Sequence, residues 1–412
     1  MSDKQADTVS DAAAELPQYP MPRSSACPFA PPQATLAMHD EQPLAKVRIW
    51  DGSTPWLVTR HADLRAVLSD PRVSASDRWP NYPYFNEKTA EGAQHRPTTI
   101  INMDGEEHAR IRRMLTRPFM FKRIAAVRPA VQKSTDDLID TLLAGPAPAD
   151  LVTALALPLP SLMIGELLGV PYTDHEFFQR NSSLAISPES QEEGIQAMIA
   201  LMQYLAEMIQ SKTANPEENV ISDLAQRVQA GELSINEAAV LGVTLLVAGH
   251  ETSANMIALG TLALLEHPEQ LAILRDTDDP KVVANATEEL LRYLTIAHPG
   301  QRRTAAEDIE IGGQVIRQGE GIITDLPAAN WDPEVFPEPE RLDLHRDARQ
   351  HVAFAFGPHQ CVGQQLARAE LQIVYGTLFR RIPTLRLATT IDQIKFKSEE
   401  LAYGVRTLPV TW

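Results

Sequence analysis

Cysteine is nearly missing from this chain: 412 residues carry two, Cys27 and Cys361. So sparse a supply excludes a disulfide framework and leads us to expect a reducing compartment, the cytoplasm. Cys27, in SSACPFAPP, reads as a small buried residue beside a proline-rich leading strand. Long apolar runs are missing too. The opening stretch MSDKQADTVSDAAAELPQYPMPRSS is polar, with neither the core of a signal peptide nor an anchor helix. Linkers rich in Gly and Ser, charge blocks and internal repeats are absent beyond the first few turns, so we expect a flexible tail over 1–25 and a single domain over 26–412. Positive charge is short: 37 Lys and Arg face 54 Asp and Glu, a net charge of -17. That balance excludes nucleic acid and an anionic membrane as main partners, since both are polyanions. Gly312 and Gly313 sit at a hairpin turn, and neither they nor Gly319 and Gly321 form a strand-to-helix phosphate fingerprint. The chain therefore shows no site for its own nicotinamide or flavin.

What is present is mostly helix with small sheets. AKVRIWDGSTPWLVTR alternates about an Asp-Gly turn, and IEIGGQVIRQGEGII repeats the pattern, so both are expected hairpins. Ser234 to Glu237 is a capping-box pattern opening a helix that runs to about His267, ahead of Pro268. Its stretch from Ala238 to Gly249 is uncharged and apolar all round, as in a buried helix. Then His250, Glu251, Thr252, Ser253 and Asn255 interrupt it with polar groups, which are costly to bury without partners. A solvated stripe, an internal network and a reactive site all remain open there. Asp279 and Pro280 start another helix, on which Glu289 and Arg292 share a face. His108 and Arg112 share a face at i and i+4.

The most informative stretch is FAFGPHQCVG, from Phe354 to Gly363. It presents one cysteine on a glycine-punctuated loop just before a helix, where free N–H groups and the helix dipole lower a thiol's pKa. A buried, unreactive cysteine at a turn is the plain alternative. The pattern Phe-x-x-Gly-x-x-x-Cys-x-Gly, complete at Phe354, Gly357, Cys361 and Gly363, resembles the haem-binding signature of the cytochrome P-450 family.

The resemblance covers about residues 20 to 412, and its hallmarks stand in family order, among soluble actinobacterial enzymes of secondary metabolism and xenobiotic oxidation. It implies a mainly α fold with small β-sheets, the triangular haem-thiolate domain. It implies haem b (iron protoporphyrin IX) with Cys361 as the iron's thiolate ligand. His108, Arg112, Arg303 and His359 would hold the propionates, with Phe354, Ala248 and Gly363 also against the cofactor. Ala248 and Gly249 would leave room for dioxygen, while Glu251 and Thr252 would manage protons. Glu289 and Arg292 would form a buried triad with Arg341. Val247, Ile296 and Leu401, with the aromatic segment 74–103 and the SSLAISPESQ loop, would line the substrate site. The implied activity is a monooxygenase hydroxylating an apolar small molecule with O2 and electrons from a ferredoxin and its reductase, the protein itself a monomer. Reduction of nitric oxide, use of hydrogen peroxide, and gas sensing are the competing activities; the first two usually lack the acid-alcohol pair, and sensing needs a signalling segment.

Overall fold

The computed structural model describes residues 16–186 and 191–412. Its helices follow the caps and apolar faces of the sequence. Along the chain they are α1 (Gln33–Glu41), α2 (His61–Ser69), α3 (Glu87–His95), α4 (Gly105–Thr116), α5 (Phe121–Ala144), α6 (Pro158–Leu168) and α7 (His175–Ile186). There follow α8 (Gln191–Ala214), α9 (Val220–Gln229), α10 (Ile235–Glu266), α11 (Pro268–Arg275), α12 (Pro280–Leu294), α13 (Leu326–Asn330) and α14 (Gln364–Arg381). The helix expected from Ser234 is α10, 32 residues long. Ser234 Oγ accepts from Glu237 N at 3.1 Å while Glu237 receives Ser234 N at 2.7 Å. Because its flanks are apolar on every side, α10 is buried along most of its length and packs against α6, α7, α8, α9 and α14.

The strands are β1 (Leu44–Lys46), β2 (Trp56–Val58), β3 (Val73–Ser74), β4 (Ala149–Asp150), β5 (Gln301–Ala305), β6 (Ile309–Ile311), β7 (Gln314–Ile316), β8 (Gly321–Thr324), β9 (Arg386–Leu387) and β10 (Pro409–Thr411). They form a five-stranded sheet in the order β1-β2-β8-β5-β3, a three-stranded sheet β4-β10-β9 and the β6-β7 pair. Both hairpins form. Leu44 pairs with Val58, and Ile311 pairs with Gln314 across Gly312 and Gly313, whose positive φ (55° and 76°) suits the tight turn. In the large sheet β5 is an inner strand between β8 and β3, which fixes the backbone at Arg303 opposite Ile322.

Two expectations change here. The core already includes the chain before residue 26: Tyr19 and Met21 are buried, Tyr19 N donates to Arg48 O at 2.8 Å, and Tyr19 Oη donates to the buried Asp325. Residues 1–15 of the supposed tail lie outside the described residues. Cys27 is exposed at a turn, its N–H donating to Ser24 O at 3.2 Å, rather than buried; the prolines that follow it, Pro28, Pro31 and Pro32, are buried instead.

Candidate active site

The cysteine loop is held by its own backbone. Cys361 N donates to Phe354 O at 2.9 Å and Gln360 N to Gly357 O at 3.0 Å. Gly357 has φ +72°, and a Cβ there would stand 2.3 Å from Leu68 O, so no other residue fits. Gly363 caps α14, and a Cβ on it would stand 3.9 Å from Cys361 Sγ and 4.0 Å from Phe119, ordinary contacts that do not forbid a side chain. The Phe354 ring lies between Arg368, whose Cζ is 4.6 Å from its centroid, and the His351 ring. Cys361 keeps accessible surface while protein atoms surround it deeply, as expected for a side chain bordering an enclosed space. Burial pushes its thiol up, against the pull of Gly363 and Gln364 N–H groups and of Arg112 and Arg368. In the protein alone, desolvation therefore outweighs the helix start that was expected to lower it.

Around this loop the fold gathers basic side chains, and Asp104 at the start of α4, an acid whose charge reaches His108 and Arg303, accepts its hydrogen bonds from Ser74 and Ala75 N instead. The His108 and His359 rings stack at 4.0 Å with 28° between planes, and burial together with Arg112 and Arg303 holds both imidazoles neutral, His359 down to about 3. Arg112 from α4 donates to Gln360 O. Arg303 is buried on β5 with only its neighbour's carbonyl, Arg302 O, at 2.7 Å as acceptor. His108 Nε2 is buried with no hydrogen-bond partner. Two guanidinium groups beside two imidazoles whose charging they oppose form a cradle whose chemistry asks for carboxylates.

On α10 the polar turn divides its tasks among neighbours. Ala248 and Thr252 carry accessible surface in the middle of an otherwise buried helix, so they border an interior space. Thr252 Oγ1 donates back to Ala248 O at 2.7 Å. Gly249 answers a different need from the one expected: a Cβ there would stand 3.0 Å from Ile164, so the glycine lets α6 approach. Glu251 is buried and paired with Lys397, which in turn lies 4.0 Å from Glu400. His250 bonds Ser182 of α7. Ser253 lies near the fully buried Glu370 of α14, whose carboxyl has no well-formed hydrogen bond and is pushed by burial up to about 8.

The Glu289–Arg292 pair is fully buried and bidentate, at 2.7 and 2.8 Å. Its third member is corrected: Arg341 is 62% exposed beside Glu338 and offers only its carbonyl, whereas Arg346, 12% exposed, places Nε 3.2 Å from Glu289 Oε1. Arg346 also donates to Glu338 O and Arg341 O, so it ties the whole meander to α12, which a side chain at 341 turned to solvent does not do. A second tie was missed. Glu288 accepts from Arg368 Nε at 2.7 Å and lies 3.0 Å from His351 Nε2, and these partners hold it at about 2 despite its burial. Its signal in the sequence was the histidine and arginine flanking the cysteine loop.

Of the substrate-lining candidates, Val247 and Ile296 are half-buried against the core, and Leu401 is 52% exposed in the hairpin closed by the Phe396–Val405 bridge. Residues 187–190 of the SSLAISPESQ loop lie outside the described residues. Tyr82 and Tyr84 pack edge to face at 5.0 Å, and Phe85 lies under Arg302.

Comparison with known proteins agrees with this geometry. The family model described as Cytochrome P450 matches residues 161–386. Cytochrome P450 CYP105Q4 of Mycobacterium marinum is 57% identical over the full length of both chains. The crystal structure of GfsF superposes with a TM-score of 0.92 at 56% identity, covering 96% of this chain and all of that one. The mycinamicin VIII C21 methyl hydroxylase of Micromonospora griseorubida, solved bound to mycinamicin VIII, gives 0.88 at 40% identity, covering 96% of this chain and 100% of that one. With a complete cysteine loop, a cradle of basic side chains beside it and relatives matched end to end, this chain belongs to the cytochrome P450 family and is a P450 monooxygenase.

Proposed function

We propose that the protein hydroxylates an apolar small molecule, using haem b held by Cys361 and electrons delivered by a ferredoxin and its reductase. The observation that carries this reading is the cradle of His108, Arg112, Arg303 and His359 beside an accessible cysteine, with His108 Nε2 left unpaired. A bis-propionate cofactor supplies the missing acceptors. Phe354 and Gly363 would flank it on the cysteine side and Ala248 on the other. When bound, the haem supplies dioxygen activation and C–H oxidation. The chain's own residues do the rest. Arg112 and Arg303 neutralise carboxylates, and Thr252 offers the one hydroxyl of its turn that is accessible from the interior. Glu251, a buried acid one residue away and paired with Lys397, would manage protons with Thr252. Val247, Ile296 and Leu401 with the aromatic segment 74–103 would supply apolar walls, a chemistry supported by the relative that hydroxylates a methyl group of mycinamicin VIII.

Cys361 carries the first test. The ferrous carbon monoxide adduct should show the strongly red-shifted Soret band of a thiolate ligand, and Cys361→His should abolish it. A parent spectrum like that of a histidine-ligated globin would sink the assignment.

A further inference from the structure

His250 is the member of the polar turn that the proposed reaction leaves without a task. Helix geometry decides where it points. At roughly 100° per residue it stands about 160° around the axis from both Ala248 and Thr252, on the side of α10 away from the interior space. It is fully buried there. Nδ1 lies 2.8 Å from Ser182 Oγ, and Ser182, 1% exposed, also reaches the Gln179 carbonyl at 3.2 Å. Nε2 has no well-formed partner among the described residues, but the Leu157 backbone acts on the ring as a hydrogen-bond acceptor; a proton on Nε2 serves that contact, and the Ser182 hydroxyl then donates to Nδ1. Burial holds the ring below its ordinary pKa, against the pull of Glu251, so it brings no charge into the seam at neutral pH.

Leu245 and Leu246 of α10, Ile164 of α6 and Phe178 of α7 belong to one core cluster, so the packing of these helices is largely apolar, with Glu251 and Lys397 as the charged groups that act on the ring. An apolar seam alone lets one helix shift on another at little cost. A single satisfied polar pair fixes the register, as a lone buried Asn does between coiled-coil helices.

We propose that His250 is a positioning residue: through Ser182 it pins α7 in register on α10, and so sets the size of ligand that the interior admits. The second half rests on the monooxygenase reading above, together with the expectation from the sequence that the SSLAISPESQ segment, which begins at Ser182, lines the substrate site.

Ser182→Ala removes the hydroxyl without touching α10. His250→Phe keeps a ring without nitrogen, and His250→Asn restores an amide near the place of Nδ1. A neutral hydrogen bond contributes about 1 kcal/mol, or about fivefold in an opening equilibrium. Amide hydrogen exchange of residues 175–186 should therefore quicken about fivefold in Ser182→Ala and in His250→Phe, no further in the double variant, and return toward the parent in His250→Asn. Residues 220–229 serve as the unchanged reference. Spectral titration of the ferric protein should show clotrimazole affinity altered about threefold or more in Ser182→Ala, with imidazole altered by less than about twofold. Parental exchange of residues 175–186 in Ser182→Ala, or additive losses in the double variant, would overturn the pin. Faster exchange with an unchanged ratio of clotrimazole to imidazole affinity would overturn the control of ligand size. Absence of the thiolate band in the parent carbon monoxide adduct strikes the haem reading instead and leaves the exchange result standing.

Discussion

At the scale of single residues, chemistry follows from which way a side chain leaves its helix. Thr252 and Glu251 are neighbours, yet the threonine is accessible from the interior while the acid is buried against Lys397. Thr252→Ala should therefore leave folding and ligand binding near those of the parent while uncoupling electron use from product. In a system reconstituted with ferredoxin and reductase, product formed per NAD(P)H consumed should fall severalfold, with hydrogen peroxide making up the difference. An unchanged ratio would make Thr252 a packing residue only. The place of these two residues on one buried helix was legible in the sequence because a local motif carries them, and so was the place of Cys361 just before a helix. Gly249 and Cys27 were not. The need for glycine at 249 comes from Ile164, 85 positions away, and the exposure of Cys27 depends on where the leading segment crosses the surface.

At the scale of elements, α12 is fastened to the meander and the cysteine loop by two adjacent carboxylates with different partners. Glu289 takes Arg292 and Arg346, and Glu288 takes Arg368 and His351. The Glu-x-x-Arg pair was legible from its three-residue spacing, since that spacing fixes a shared face. Its third arginine was not, because the meander from 337 to 346 lacks a repeat that would say which side chain turns inward. Arg346→Ala should strip a buried carboxylate of a partner at a cost of about 3–5 kcal/mol, and little haem-loaded protein should accumulate. Arg341→Ala, at an exposed site, should stay within about 0.5 kcal/mol. Equal haem content in the two variants would restore Arg341 as the partner. Glu288→Gln should also destabilise the protein, in a pH-dependent way. Its carboxylate is held at about 2, below the ordinary range, so its contribution is complete above the unfolded value and fades as pH falls through about 4 toward 2. Thermal melts at pH 7 should separate Glu288→Gln from the parent, and the gap should narrow as the pH is lowered below about 4 toward 2. A gap independent of pH would mean that Glu288 acts through packing alone.

At the scale of the whole molecule, the surplus of acid, 54 against 37, leaves local basic exceptions to explain electron delivery by an acidic partner. Seven arginines, Arg110, Arg112, Arg113, Arg117, Arg346, Arg349 and Arg368, lie in the sequence on α4, in the turn after it, or flanking the cysteine loop. The fold removes several. Arg112 reaches Gln360 O, Arg346 and Arg368 are spent on Glu289 and Glu288, and Arg349 is paired with Asp347. Arg110 is half-buried and donates to Glu232 O at 3.0 Å. Arg113 and Arg117 remain exposed on α4 and the turn after it, and Met120 and Phe121 add exposed apolar surface next to them. A small cationic patch with an apolar rim suits an encounter that is steered by charge and ends in a short-lived contact. They also border a groove of about 290 Å3 that contains Asp223 and Glu232, so the local field is mixed and the steering modest. Reversing Arg113 and Arg117 to glutamate should slow first-electron transfer from a ferredoxin severalfold at low salt. Reduction by dithionite and azole affinity should not change, because neither residue reaches the cradle. The difference from the parent should shrink as ionic strength rises to 0.1 M and beyond, where screening sets in within about 10 Å. Stopped-flow reduction across a salt series reads both effects, and identical ferredoxin kinetics in variant and parent at every salt would move the docking surface away from α4.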